Sequence, residues 1–307
     1  MNTSSPTPAI SVVMSVYNGG GFLRSSIDSI LNQTFKDFEF IIINDGSTDG
    51  SRKVIESYKD PRIRLYNQSN KGLVYSLNKG CELARANLIA RMDADDISMP
   101  SRLEKQVKLM SMNKDLVLVG SSILTIDNNS KKLNRHNVLI GSCELKQELL
   151  IRSPFAHGST MFRKESFIEV GGYNHAFWPA EDYYLWLKLS QEGDFVNICE
   201  PLYQYRENKS GISSQNQKLQ QEAHKNVMSE AWKIKDKLTQ CKPRLTHYKK
   251  CQYGKVLVNR IVDNSIAIAK LAIDHKSMRL FTKLMAQSST ILATYAIVAN
   301  KIKRKIV

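Results

Sequence analysis

Cysteine is scarce and scattered in this 307-residue chain: Cys81, Cys143, Cys199, Cys241 and Cys251 form no CxxC pair. That spacing offers neither a disulfide framework nor a thiolate zinc site, and it points to a reducing, cytoplasmic setting. Long apolar runs are missing as well. The N-terminus, MNTSSPTPAISVVMSVY, lacks the basic start and uninterrupted apolar core of a secretory leader, and reads as a frayed Ser/Thr/Pro-rich opening. The uncharged run from Leu284 to Ala299 has 16 residues and includes Gln287, Ser288, Ser289 and Thr290. It falls short of the roughly 20 apolar residues a membrane span needs. Acidic residues are the last scarcity. Residues 208–307 hold 5 of them against 20 Lys and Arg, whereas residues 1–207 hold 24 of each sign, so the whole net charge of +15 sits in the last third.

That asymmetry places a boundary near Asn208 and expects the basic region to meet something anionic, either membrane lipid or nucleic acid, unless it is a solvated helical face. Lys301, Lys303, Arg304 and Lys305 follow the uncharged run, and each basic residue near an anionic leaflet adds about 1 kcal/mol. Peripheral attachment to the cytoplasmic face of the inner membrane is therefore expected. A nucleic-acid-binding protein is the weaker alternative, because aromatics are sparse in this tail and no readout module is visible.

The first two hundred residues alternate strand and helix patterns. Ala9 to Val16, AISVVMSV, and Phe38 to Ile43, FEFIII, are β-rich apolar runs of the kind buried on both faces of a parallel sheet. A helix with apolar Phe22, Ile27, Ile30 and Leu31 joins them. Further helices are expected over Ser51 to Tyr58, Leu73 to Ala84, Ser101 to Met112 and Ser142 to Leu150, and strands over Ile63 to Tyr66, Leu88 to Met92 and Leu116 to Ile126. A second strand is expected near Val138, and Glu181-Asp182-Tyr183 opens a helix. Strands separated by helices imply a parallel, doubly wound α/β sheet, with ligands beyond the carboxyl ends of its strands. The glycines at 19–21 do not make a dinucleotide fingerprint, because GxGxxG begun at Gly19 needs glycine where Arg24 stands. Ser159 is no nucleophile elbow, because GxSxG is absent.

Leu88 to Pro100, LIARMDADDISMP, delivers Asp93, Asp95 and Asp96 to a strand's carboxyl end, the same edge as Tyr17 and Asp45. Three carboxylates within four residues repel one another and call for a positive partner. A divalent ion carrying a diphosphate is one candidate, because hard oxygen ligands suit Mg²⁺ or Mn²⁺. A solvated acidic turn is the other. Acids at 181 and 182 have an ordinary explanation too, since they complement a helix dipole.

MSVYN at 14–18, NDGSTD at 44–49, NKG at 70–72, RMDADD at 91–96, GGY at 171–173 and ED at 181–182 occur in this order. Together they resemble a family 2 glycosyltransferase over about residues 9–207, and HGSTMFRK at 157–164 is similar to bacterial capsule, exopolysaccharide and O-antigen enzymes. The resemblance implies a GT-A fold, a mostly parallel sheet flanked by helices, with a nucleotide-sugar half at about 9–100, an acceptor half at 101–207, and a helical extension at 208–307. It implies inverting transfer from a nucleotide-sugar, a UDP-sugar by the Asp45 contact, to a hydroxyl of a glycan or lipid-linked acceptor. Tyr17 resembles the aromatic that stacks on the donor base, with Ser15 and Val16 lining its pocket. Asp45 looks like the acceptor of the base imide, Asp93 the acid near the ribose and a metal neighbour, and Asp95 the metal ligand bridging to the diphosphate. Asp182 looks like the catalytic base, with Glu181 orienting beside it.

Lys71 and Arg206 are candidate diphosphate contacts, Arg206 from a closing loop. His157 is a candidate acceptor contact, weighed against a loop histidine bonded to backbone. Trp178 and Tyr183 are candidate acceptor platforms, weighed against core packing. Asp96 stays open as a second ligand. A nucleotidyltransferase, or a sugar-nucleotide-binding module without catalysis, can use the same DxD and βαβ sheet.

Overall fold

The computed structural model describes residues 7–136, 138–208, 211–240 and 267. Among them nine strands form one sheet in the order β3-β2-β1-β4-β8-β6-β9-β5, with β7 beside β6. The strands are β1 Ile10–Val16, β2 Phe38–Asp45, β3 Ile63–Gln68, β4 Leu88–Met92, β5 Ile97–Ser98, β6 Leu116–Ile126, β7 Lys132–His136, β8 Met161–Arg163 and β9 Asp194–Arg206. The nucleotide half is parallel as expected: β1 pairs in parallel with β2 and β4, and β2 with β3. Past β4 the sheet is mixed, because β8 inserts antiparallel between β4 and β6 before β6 and β9 resume parallel pairing.

Side-chain alternation explains why the central strands are apolar throughout. Val13, Ile41, Ile43, Ile89 and Phe162 face one core, and Val12, Met14, Phe40, Ile42 and Ala90 face the other. Helices α1 Leu23–Leu31, α2 Ser51–Glu56 and α4 Arg102–Met112 cover the second face. Helices α3 Leu73–Leu83, α5 Ser142–Glu148, α6 Lys164–Glu169 and α7 Glu181–Leu189 cover the first. Burial on both faces selects long apolar runs over alternating ones.

Three expectations need correction. The strand expected near Val138 lies earlier, at Lys132–His136. The 13-residue β9 gives no strand signal in the sequence, because its buried positions follow no strict period of two and Asn197, Glu200 and Pro201 dilute its apolar residues. Arg206 consequently ends a strand and is no part of a closing loop. Among the described residues Cys81 and Cys199 are free.

After β9 come α8 Ile212–Gln215, α9 Gln217–Lys233 and α10 Lys235–Leu238. Val227, Ala231, Trp232 and Leu238 join the core beneath α7, and the Trp232 indole donates to the Leu150 carbonyl at 3.1 Å. The first thirty residues of the basic region thus share the catalytic core. The uncharged run at 284–299 and the terminal lysines lie outside the described residues. Among the described residues no helix is long and apolar enough to cross a membrane.

Candidate active site

The carboxyl ends of β1, β2 and β4 gather the donor-side residues. Tyr17, just past β1, is 53% exposed and stands free for stacking. Ser15 is half-buried, and the Val16 side chain lies in the core, so Val16 reaches any ligand only through its backbone. Asn18 is held at φ 52°, and its side-chain Oδ1 accepts from the Thr48 N–H at 2.8 Å, fastening the loop after β1 to NDGSTD. Asp45 is buried, and its oxygens already accept from the Gln68 amide, Lys71 N–H and Gly72 N–H at 2.8, 2.8 and 2.9 Å. A carboxylate accepts about four hydrogen bonds, so one position is left for a ligand. Asp45 therefore shapes the NKG loop and the start of α3 before it reads anything. Gly46 makes this closeness possible: φ is +74°, and a Cβ there would lie 2.6 Å from the Asn70 nitrogen. The Lys71 ammonium is exposed over Tyr75, 3.3 Å from its hydroxyl.

The three acids after β4 separate by partner. Asp93 Oδ1 accepts from the Arg91 guanidinium at 2.7 Å, and the Tyr203 hydroxyl faces its Oδ2 at 3.4 Å. Asp95 Oδ2 accepts from the Asn208 amide at 3.2 Å, while burial and the neighbouring Asp93 raise its pKa. Asp96 is 1% exposed, accepts the Arg206 N–H at 2.7 Å, and has an unpartnered Oδ2. Burial first, then Asp93 and Asp95, push its pKa well up, so it is a structural acid and no open ligand. Arg206 is locked likewise, Nε on the Asp95 carbonyl and Nη1 on the Asp127 carbonyl, both at 2.7 Å, with Phe22 beneath its guanidinium.

Arg91 is the residue the sequence reading passed over. It is buried on β4, pairs with Asp93, and feels Tyr173, Tyr203 and Glu181 electrostatically. A cation in an otherwise apolar strand, two residues before an acid, was the available signal. Beneath it Arg102, equally buried, donates to the carbonyls of Arg91 at 2.7 Å and Thr160 at 3.0 Å. The positive partner demanded by the acids is thus internal first.

Glu181 and Asp182 begin α7. Burial, then Asp182, raises the Glu181 carboxyl to about 8, and its buried Oε2 has no partner. Half-buried Asp182 accepts its neighbour Tyr183's N–H at 2.7 Å. Burial leads in raising it to about 6, with Asp93 adding and Arg91 opposing. The α7 acids and the DxD acids therefore share one electrostatic neighbourhood centred on Arg91. His157 is half-buried, its Nε2 lies 2.8 Å from the Tyr173 hydroxyl, and burial followed by Arg91 holds its pKa well below the usual imidazole value, so its ring bond is to a side chain and not to backbone. Tyr173 is clamped by Asn78, whose amide bonds the Tyr173 N–H and C=O, both at 2.9 Å. Gly158 sits where a Cβ would collide with the Tyr203 hydroxyl and Asp93 Oδ2. Tyr183 is core, donating to the Leu149 carbonyl at 2.6 Å, while Trp178 is half-buried.

The sequence profile of Glycosyl transferase family 2 matches residues 11–171. The chain belongs to that family. It is 38% identical over 213 residues to the O-antigen biosynthesis glycosyltransferase WbnJ of Escherichia coli, covering 66% of this chain and 81% of that protein. It is 32% identical over 202 residues to the amylovoran biosynthesis glycosyltransferase AmsE of Erwinia amylovora, covering 64% and 75%. In fold it is similar to S. aureus TarS 1-349 solved with UDP-GlcNAc, with a TM-score of 0.60 over 94% of this chain and 91% of that one, at 13% identity. The GT-A architecture expected of a family 2 glycosyltransferase is the one found, and the protein is a glycosyltransferase.

Proposed function

We propose that this glycosyltransferase moves a sugar, with inversion, from a UDP-sugar to a hydroxyl of a glycan or lipid-linked acceptor in bacterial surface-polysaccharide assembly. The observation that carries the reading is that Asp93, after β4, and Asp182, at the start of α7, both feel buried Arg91, which donates to Asp93 at 2.7 Å and opposes the rise of the Asp182 pKa. Bond breaking at the anomeric carbon calls for charge stabilisation on the diphosphate side and a base on the opposite face, and this edge holds candidates for both. WbnJ and AmsE, by their names, build surface glycans, and TarS was crystallised with UDP-GlcNAc; these support the acceptor class and the uridine donor.

Asp182 takes the acceptor proton as attack proceeds, a contribution on the order of 10² to 10⁴-fold. A single base without a nucleophilic carboxylate opposite it favours inversion, by analogy with sugar hydrolysis. Glu181, neutral at pH 7, orients Asp182 or the acceptor by hydrogen bonding. Tyr17 stacks on the base and Asp45 offers its remaining lone pair to the imide, with Lys71 at the loop beside them. Asp95, with Asp93 as neighbour, would hold Mg²⁺ or Mn²⁺. The donor set fits: Asp95 carries a carboxylate that burial and Asp93 make unfavourable as an anion, and Mg²⁺ is commonly held by one or two carboxylates plus substrate phosphates. Bound there, the ion would act as a Lewis acid on the leaving diphosphate. The basic tail attaches the enzyme to the cytoplasmic face of the inner membrane, where a lipid-linked acceptor resides.

A panel of nucleotide-sugars with Mn²⁺ or Mg²⁺, read as thermal shift and slow donor hydrolysis, tests the donor, because binding stabilises the fold by mass action. A UDP-sugar should stand out, and Asp182→Asn should keep that shift while losing transfer. No shift with any nucleotide-sugar, or full transfer by Asp182→Asn, would sink the proposal.

A further inference from the structure

The β6–β7 hairpin is a cationic feature built onto the reaction edge. Along one side of β6, Leu118 and Val119 pair with β8, and the stretch from Ile123 to Ile126 pairs with β7. Because Met161 of β8 is in register with Ala90 of β4, β7 stands one level beyond, alongside the loop that carries Asp93 to Asp96. Arg206 fastens the arrangement by holding the Asp95 carbonyl at 2.7 Å while binding the hairpin turn through the Asp127 carbonyl and the Ser130 hydroxyl, at 2.7 and 3.2 Å.

What the hairpin offers outward is Lys131, Lys132, Leu133, Asn134 and His136, all exposed, whereas half-buried Arg135 donates from its guanidinium to the Cys199 carbonyl at 2.5 Å. Among the described residues the Lys131 and Lys132 ammonium groups make no ion pair, and Leu133 is 43% exposed beside them. Asp127 is occupied within its own turn, accepting from the Asn129 and Lys131 amides at 2.9 and 2.8 Å. Counting Glu207, whose N–H donates to the Ile126 carbonyl at 2.9 Å, the hairpin and its neighbour hold two acids and three permanent cations, of which Arg135 is anchored and Lys131 and Lys132 stand exposed. The strongly basic last third of the chain begins at Asn208, which itself bonds Asp95. Both cationic features therefore start at one edge.

We propose that this hairpin docks on an anionic lipid bilayer, turning the mouth of the site toward the membrane surface. The inference rests on, and deepens, the peripheral attachment proposed above. Two exposed lysines followed directly by an exposed apolar side chain suit a bilayer interface: the cations meet anionic headgroups and Leu133 enters the boundary beside them. Edge lysines also discourage strand-to-strand pairing without any partner, and the test separates the two roles.

The full chain is sedimented with vesicles of 30% phosphatidylglycerol in phosphatidylcholine, or of phosphatidylcholine alone, in 50 mM NaCl. Lys131→Gln with Lys132→Gln should weaken binding to the anionic vesicles about 25-fold, roughly fivefold for each lysine; Leu133→Ser should weaken it further, and 500 mM salt should abolish it. The thermal shift with UDP and Mn²⁺ should be the same in every variant, so failure of the donor reading registers separately in the wild type. Equal vesicle binding by variant and wild type, or equal binding to neutral vesicles, overturns the proposal. So does loss of dextran sulfate binding in the variants with vesicle binding intact, which would make the hairpin a glycan-binding surface.

Discussion

Glu181→Gln isolates the electrostatic cost of the site. The Glu181 side chain is 4% exposed, its Oε2 is unpartnered, and burial followed by Asp182 lifts its pKa from 4.5 to about 8. A folded-state pKa above the unfolded one means that the folded protein keeps a proton the unfolded chain releases. Stability from this group is therefore full below about pH 4.5, falls as pH rises, and reaches its lowest value above about 8. At 1.36 kcal/mol per pKa unit the limit is about 5 kcal/mol, and attraction from Arg91 already acts against it. Glutamine keeps the volume and removes the titration. Melting curves of wild type and Glu181→Gln should coincide near pH 5 and separate toward pH 9, the variant the more stable. At roughly 2 °C per kcal/mol for a domain of this size, the separation approaches about 10 °C. Parallel loss of stability in both proteins from pH 5 to 9 would mean that Glu181 is not held as a buried neutral acid, and the account of the α7 acids would fall with it.

Transfer by the wild type should rise with pH through about 6, where Asp182 loses its proton, and level off above, a limb that Asp182→Asn removes along with the activity. Gly158→Ala should cost about 1–3 kcal/mol through overpacking and weaken UDP–Mn²⁺ binding, since the new methyl meets Asp93 and Tyr203; unchanged calorimetric affinity would separate that turn from the donor site. Tyr17→Ala should lose about 1–3 kcal/mol of UDP affinity, the usual worth of base stacking, at an unchanged ligand-free melting temperature, because its ring is half exposed. An unaltered affinity would remove Tyr17 from the donor site.

Legibility in the sequence followed burial pattern. β1, β2 and β4 are buried on both faces, and their unbroken apolar runs announced a parallel half-sheet and the edge where its loops gather. The buried positions of β9 follow no strict period of two, and Asn197, Glu200 and Pro201 interrupt its apolar residues, so it read as a loop although it pairs along the whole of β6. The antiparallel place of three-residue β8 is fixed by Met161 and Phe162 meeting both β4 and β6, a long-range contact that local periodicity does not encode. In the site, residue types that are rare in their setting were legible: acids after an apolar strand, an exposed tyrosine after another. Asn78, Tyr203 and Arg91 were not, because an asparagine in a helix, a tyrosine in a strand and an arginine before an acid have many ordinary uses. Their roles come from contacts across 95, 110 and 2 residues of chain.

The three acids of DADD show why spacing alone underdetermines chemistry. In sequence they are near-equivalent carboxylates, and mutual repulsion predicts a cation without saying which acid it serves. In the fold each meets a different partner: Asp93 a buried guanidinium, Asp95 a neutral amide, Asp96 a backbone N–H deep beneath the loop. An acid already neutralised by Arg91 gains less from a metal than one held only by an amide. An acid 1% exposed has no path to a hydrated ion. By elimination Asp95 is the carboxylate whose charge is least compensated and still reachable, its pKa raised by burial and by Asp93. On the proposal that a divalent cation arrives with the diphosphate, it would relieve that unfavourable charge, and the Arg91–Asp93 pair would leave Asp95 as the acid that holds it.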